Sequence, residues 1–300
     1  MKKKWWMMGG TLGAGAALFL VSGFSAMAGT SGYDAYKSAV KMNMQAASMT
    51  NQGEITFTDN GKEVLNADFV AKIAREQGAM SLTAKIGNGD AAHAIQVFKQ
   101  GDEVVFKSDA SDTYRKLELG AAKWRHHGSE SGPPKRLETV VDALMGHLKD
   151  RATVQDAPNG GENASLHLSG SQIPAVVNTI GSLLASNLGN FGPDGGAHAD
   201  WQTEAHGLPD IKADLPHLTK DVQVRQIDLD AGIGADHYLN HQTGEIVVTG
   251  TDDAGQAHRL VISLDFNLSG FNQTVPDTID LTGKQVEVVK REAGGPPWHH

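Results

Sequence analysis

Two long stretches of the chain alternate apolar and polar residues at period two, and the segments between and around them do not. In the first stretch Ile55 and Phe57 are apolar with Glu54, Thr56 and Thr58 between them. Asp59-Asn60-Gly61 then gives a hairpin signal, because Asn-Gly readily takes the positive φ of a tight turn. Leu65, Ala67, Phe69, Ala71 and Ile73 alternate next, followed by Met80, Leu82, Ala84 and Ile86, by Ile95 and Val97, by Val104 and Phe106, and by Leu117 and Leu119. These predict six strands at intervals of about ten residues, an antiparallel meander with one dry and one wet face. In the second stretch Val222 and Val224 lead into Ile227, Leu229 and Ala231. Tyr238 and Leu239 run to a turn expected over 240–244, Ile246 and Val248 return, and 251–255 turns again. Leu260, Ile262, Leu264, Phe266 and Leu268 keep a strict alternation, and Val286 and Val288 suggest a last edge strand.

Helical spacing appears elsewhere. Tyr36, Val40, Met44 and Ala47 share one face of a helix predicted over 33–50. Leu137, Val140, Val141, Leu144 and Leu148 mark a second helix. Ser171-Gln172-Ile173-Pro174 opens a third, with Val176, Val177, Ile180, Leu183, Leu184 and Leu188 as its stripe. Residues 164–168 look strand-like, 189–207 a Gly-rich loop, 210–218 a short helix and 121–135 a connector. The expected architecture is therefore α+β: a curved antiparallel β-sheet, a half-barrel of about ten strands, with helices packed on its concave face.

The N-terminus carries an address. Lys2, Lys3 and Lys4 precede an uncharged run from Trp5 to Ala28 that closes on Ala26-Met27-Ala28, the layout of a secretory signal with a small-x-small cleavage site. The expected organisation is a signal peptide over 1–28, one domain over 29–291 and a flexible tail over 292–300. The product is then extracytoplasmic, secreted or held at the cell wall. An uncleaved signal, about 20 apolar residues long, is the alternative and the one route to a membrane.

Composition narrows the chemistry. Among 300 residues 35 are acidic and 26 basic, a formal charge of −9, which argues against a nucleic-acid partner because such affinity comes from Lys and Arg on phosphates. The chain has no cysteine, which removes disulfides, thiolate metal sites, a cysteine nucleophile and a lipidated-cysteine anchor. Thirteen histidines invite a metal. Yet His237 and His241 fall on a strand and hairpin, without the glutamate of the metalloprotease string, and the pairs His126-His127 and His299-His300 lie in loops. Gly128-Ser129-Glu130-Ser131-Gly132 lacks a nucleophile-elbow context, Asp228 and Asp230 read as the wet face of a strand, and Asp252-Asp253-Ala254-Gly255 is a turn rather than a calcium loop. No catalytic constellation, metal or cofactor is expected.

Four strings carry a resemblance: Tyr33-Asp34-Ala35-Tyr36-Lys37-Ser38-Ala39, Thr58-Asp59-Asn60-Gly61-Lys62-Glu63-Val64, Ser171-Gln172-Ile173-Pro174 and Thr243-Gly244-Glu245-Ile246-Val247-Val248-Thr249-Gly250. With the element order over roughly 33–290 they resemble an uncharacterised exported Gram-positive branch of the LolA-like and LppX-like lipoprotein-carrier fold. The resemblance implies a concave apolar face that holds an acyl chain under helical lids. The expected function is accordingly an exported, non-enzymatic carrier of a lipid or other apolar ligand. Its expected binding residues are Ile55, Phe57, Phe69, Phe106, Ile180, Leu184, Leu264 and Phe266. The alternative keeps a filled core and makes the chain a structural or signalling partner of an envelope protein.

Overall fold

The computed structural model describes residues 31–118, 149–175, 177 and 215–289. The expected signal, the helix over 137–148, most of the helix after Pro174 (with Ile180 and Leu184), the 189–207 loop and the 292–300 tail lie outside them.

The chain enters through α1 (Gly32–Gln45), whose N-cap Ser31 accepts from the Asp34 N–H and donates its hydroxyl to the Asp34 carboxylate at 2.8 Å. The helix stops earlier than its spacing predicts. Ala46 turns to ψ 134°, and Ser48–Thr50 already belong to a strand. β1 (Ser48–Asp59), β2 (Lys62–Ala74), β3 (Ala79–Gly87), β4 (His93–Gln100), β5 (Glu103–Ser108) and β6 (Tyr114–Glu118) then form the expected meander. Asn60 and Gly61 make the first turn with φ of 50° and 82°. The second group comprises β7 (Thr153–Asp156), β8 (Glu162–Ser169), β9 (Leu218–Ile233), β10 (Leu239–Asp252) and β11 (Ala257–Ser269), with β12 (Val286–Val289) last.

All twelve strands of the described residues lie in one sheet, in the order β12-β6-β5-β4-β3-β2-β1-β11-β10-β9-β8-β7. The two strand groups meet where β1 pairs β11, from Thr50↔Ser269 to Asp59↔Leu260, and again at the far edge where β12 pairs β6. This corrects the half-barrel expectation. The sheet is open and not strongly curled, and it is mixed, because β12 runs parallel to β6. One α-helix is described along its length rather than a set of helices on a concave face, and α1 packs mainly against β7 to β10. Alternation reports which residues share a face, but it contains no information on how far a sheet bends.

Two further expectations fail for local reasons. The turn expected over 240–244 is strand: β10 runs through it, and the chain turns earlier, where the Gly234 N–H donates to Tyr238 O (2.9 Å) and His237 takes φ 64°. Gly244 is there for space, since a Cβ would sit 2.8 Å from the Leu229 side chain and 3.1 Å from that of Leu264. The short helix over 210–218 is also wrong at its end, where Leu218 opens β9 and is fully buried.

Between β11 and β12 an extended strap, 270–285, crosses the sheet on its polar face. Thr274 Oγ1 meets Thr50 Oγ1 (2.9 Å), Asp277 takes Lys72 (2.7 Å) and Ser81 (3.3 Å), and the Ile279 N–H donates to Gln100 Oε1 (2.6 Å). Pro276 of the strap is buried, as are Phe98 and Val105 on the face that it crosses.

Opposed residues in a sheet share a face, so the registers give the apolar face row by row. One row reads Leu229, Gly244, Leu264, Ile55, Ala67, Ile86; the next reads Ala231, Gln242, Phe266, Gly53, Phe69, Ala84, Ile95. Gly53 sits between two phenylalanines whose rings meet edge to face at 5.6 Å, and a Cβ there would lie 2.3 Å from the Phe266 ring and 2.5 Å from Asp265 O. The ring can swing, but the backbone oxygen cannot. Gly53→Ala should therefore cost about 1–3 kcal/mol of stability, measured by urea unfolding. A neutral or stabilising outcome would show that the two rings do not close over the glycine.

Candidate functional site

The six described candidates, Ile55, Phe57, Phe69, Phe106, Leu264 and Phe266, all fall on the apolar face. Ile55 and Leu264 are directly opposed, Phe69 and Phe266 flank Gly53, and Phe57 is opposite Ile262 and Leu65. Phe106 lies farther out, in the row Leu268, Asn51, Ala71, Leu82, Val97, Phe106. Ile55, Phe69 and Phe266 are buried in the main apolar cluster, whereas Phe57, Phe106 and Leu264 are half-buried against it. Phe57 also touches a second cluster, made of Leu168, Ile173, Val177, Leu218, Val224, Val248 and Leu260. Ile173 and Val177 there belong to the opening of the third predicted helix, where the Val177 N–H donates to Pro174 O (2.9 Å). The structure thus assembles these side chains into one apolar surface, centred on the β1–β11 seam.

Polar groups on this surface are mostly committed to structural bonds. Tyr36 of α1 donates to Gln242 Oε1 at 3.0 Å, and its burial pushes the phenol up to about 12 against the opposing pull of that bond. Asn43 exchanges two bonds with the backbone of Leu239, at 2.9 and 3.0 Å. Lys99, in phase with Ile95 and Val97, is buried and donates to Gly78 O and Gly101 O, both at 2.7 Å; desolvation holds its pKa below the ordinary lysine value, with Asp102 opposing. Asn51 differs: its side chain is buried and its Oδ1 has no hydrogen-bond partner.

The opposite face is acidic. One row reads Asp230, Thr243, Asp265, Glu54, Asp68, Lys85, and its neighbour reads His167, Asp228, Glu245, Ser263, Thr56, Asn66. Asp228/Glu245, Asp265/Glu54 and Glu54/Asp68 are thus like charges directly opposed, an arrangement that costs stability in a sheet. His167 Nδ1 lies 3.0 Å from Asp228 Oδ1, and Asn66 Nδ2 donates to Glu54. A shallow depression of about 380 Å³ opens here, lined by Gln226, Asp228, Asp230, Thr243, Gly244, Glu245 and Ser263. Asp228 and Asp230 are therefore on the wet face, as the alternation predicts. His237 lies in the turn before β10 and His241 on β10, where its Nδ1 is 3.0 Å from Asn267 Oδ1. Among the described residues no group of three His, Asp or Glu is placed to hold a metal ion, and no helix is long and apolar enough to cross a membrane.

One cluster goes unnoticed in the sequence reading. His258 is buried between Asp59 and Asp252 at the ends of β1 and β10. A signal for it exists: His258 is in phase with Leu260, Ile262, Leu264, Phe266 and Leu268, and a histidine at an inward position of so regular a strand requires a partner.

No protein-family model matches the chain, and no curated protein matches it. Among solved structures, a DUF1329 family protein from Desulfovibrio piger aligns over 79% of this chain and 90% of its own at 8% identity, with a TM-score of 0.21. The ywiB protein from Bacillus subtilis aligns over 74% and 92%, also at 8% identity, with a TM-score of 0.15. Scores of this size carry no argument about fold or function. What stands is an antiparallel-rich sheet.

Proposed function

We propose that this chain is an exported, non-enzymatic binding protein that holds an apolar ligand, such as an acyl chain, on the apolar face of its sheet. The observation that carries the reading is the continuous apolar surface across β9 to β5. Its aromatic and aliphatic members Phe57, Phe106 and Leu264 are only half-buried, and α1 packs mainly toward the β7–β10 side of the sheet. Burial of such side chains by a ligand contributes about 1.5–3 kcal/mol each when complete. Polar groups near the surface are largely tied to the fold, which suits holding a ligand better than transforming one. Asn51 Oδ1, buried and without a partner, would accept a hydrogen bond from a ligand hydroxyl.

The test is saturable binding of N-phenyl-1-naphthylamine to the full chain, with displacement by a long-chain fatty acid or alcohol. Phe106→Gln should weaken that binding about tenfold, the equivalent of losing one apolar anchor, with its circular dichroism unchanged. Absence of saturable binding, or equal affinity in the variant, would overturn the proposal.

A second reading, an envelope partner docking on the polar face, is favoured by the three opposed like-charged pairs at Asp228/Glu245, Asp265/Glu54 and Glu54/Asp68. It predicts capture of a basic envelope protein that is lost at high salt, with no binding of the apolar dye.

A further inference from the structure

Three side-chain polar atoms among the described residues are buried without a hydrogen-bond partner, and two of them, Asp59 Oδ1 and His258 Nε2, belong to one cluster. His258 Nδ1 is 2.7 Å from Asp59 Oδ2, and its Nε2 is 3.4 Å from Asp252 Oδ2. The His258 side chain is only 8% exposed, and those of Asp59 and Asp252 are 17% and 23% exposed. Asp59 ends β1 and Asp252 ends β10, so the ring spans the seam where the two strand groups meet. The adjoining turn is tied across the same seam. Asn60 donates its side-chain N–H to Ala257 O (3.2 Å) and accepts from the Arg259 N–H (3.0 Å).

The two carboxylates address opposite nitrogens of the ring. They therefore do not converge on a point where a metal ion could sit. The species that fits is an imidazolium, which has an N–H for each of them, whereas a neutral ring has one N–H and one lone pair. In the neutral form one buried carboxylate faces that lone pair. Of the other charges nearby, Lys62 is opposite Asp59 on β2 and shares its face, Arg259 follows in β11 on the other face, and Asp253 is held by His217 at 3.4 Å. Burial pulls the His258 pKa down, but the Asp59 hydrogen bond and the charges of Asp59 and Asp252 outweigh it and leave the ring above its ordinary value.

We propose that Asp59, His258 and Asp252 form a proton-linked clasp: it holds the β1–β11 seam shut while the ring is protonated, and loosens the adjoining hairpin tips when the proton leaves. The sign follows from linkage. A histidine whose folded pKa lies above the unfolded value of about 6.5 contributes its full stabilisation below that pH and loses it as the pH rises through the folded value. Leu260, two residues along and 1% exposed, belongs to the second apolar cluster, so loosening here uncovers that end of the apolar face.

Hydrogen exchange of the full chain, corrected for the intrinsic rate at each pH, tests the clasp independently of any ligand. Amides over 57–62 and 250–260 should lose protection several-fold between about pH 6 and pH 9, while those of β3 and β4 keep theirs. In His258→Gln the tips should show no such dependence. Asp252→Asn keeps the ring but removes one carboxylate, and should move the transition to lower pH; it also serves if His258→Gln fails to fold. Tips equally protected at both pH values in the wild type overturn the proposal. So does an unchanged transition in Asp252→Asn, or one that persists in His258→Gln.

Discussion

Phe266→Ala should lower the free energy of unfolding by about 3–5 kcal/mol, the largest loss expected from one substitution in this chain. Phe266 is 4% exposed in β11. Its ring meets that of Phe69 at 5.6 Å and an interplanar angle of 61°, a geometry that adds about 0.5–1.5 kcal/mol to the area buried. The residue opposite is Gly53, which has no side chain to move into the gap. The flanking strands cannot approach one another either, because their spacing is fixed by the hydrogen-bond ladder. The site is therefore poorly able to collapse, which puts the cost at the upper part of the range for aromatic truncation. Urea unfolding followed by circular dichroism measures it. A loss below about 1 kcal/mol would mean that the ring is solvated rather than packed.

Asn43→Ala comes second, at about 2–4 kcal/mol, because it strands two buried groups rather than one. The Asn43 carboxamide donates to Leu239 O at 2.9 Å and accepts from the Leu239 N–H at 3.0 Å, so a side chain of α1 stands where a neighbouring strand would be. Asn43 is 4% exposed and Leu239 2%, so water does not replace these bonds without opening the helix–sheet contact. Asn43→Asp restores only the acceptor and turns a carboxylate oxygen toward the Leu239 carbonyl. It should therefore be no better than alanine. Stability and the rate of proteolytic cleavage within α1 read the effect together; an Asn43→Asp chain as stable as the wild type would contradict the reciprocal pairing.

The strands were legible where side chains alternate and carry enough apolar residues to count. β1 to β6, β9 and β11 meet that condition. β7, Thr153-Val154-Gln155-Asp156, is short and has a single apolar residue, so nothing in its composition announces a strand. The end of α1 is obscured because Ala47 continues the helical spacing of Tyr36, Val40 and Met44 past the point where the backbone extends. Gly244 looked like a turn because glycine marks both turns and crowded strand crossings; only the positions of Leu229 and Leu264 separate the two. Of the candidate site, the common face of Ile55, Phe57, Phe69, Phe106, Leu264 and Phe266 follows from period two alone. Which of them touch depends on register across β1–β11, between segments some two hundred residues apart, and no local pattern encodes that. The same separation hid Asp59 from His258, while Asp252 lies just across the β10–β11 turn.

That separation has a consequence for how the chain is made. β1 has β2 as an early neighbour, but its other edge is satisfied only by β11, with Thr50 against Ser269. At a synthesis rate of about 5–20 residues per second, β1 waits roughly 10–40 s with an unpaired border. The first six strands are thus a template open to any passing strand until nearly the whole polypeptide has emerged.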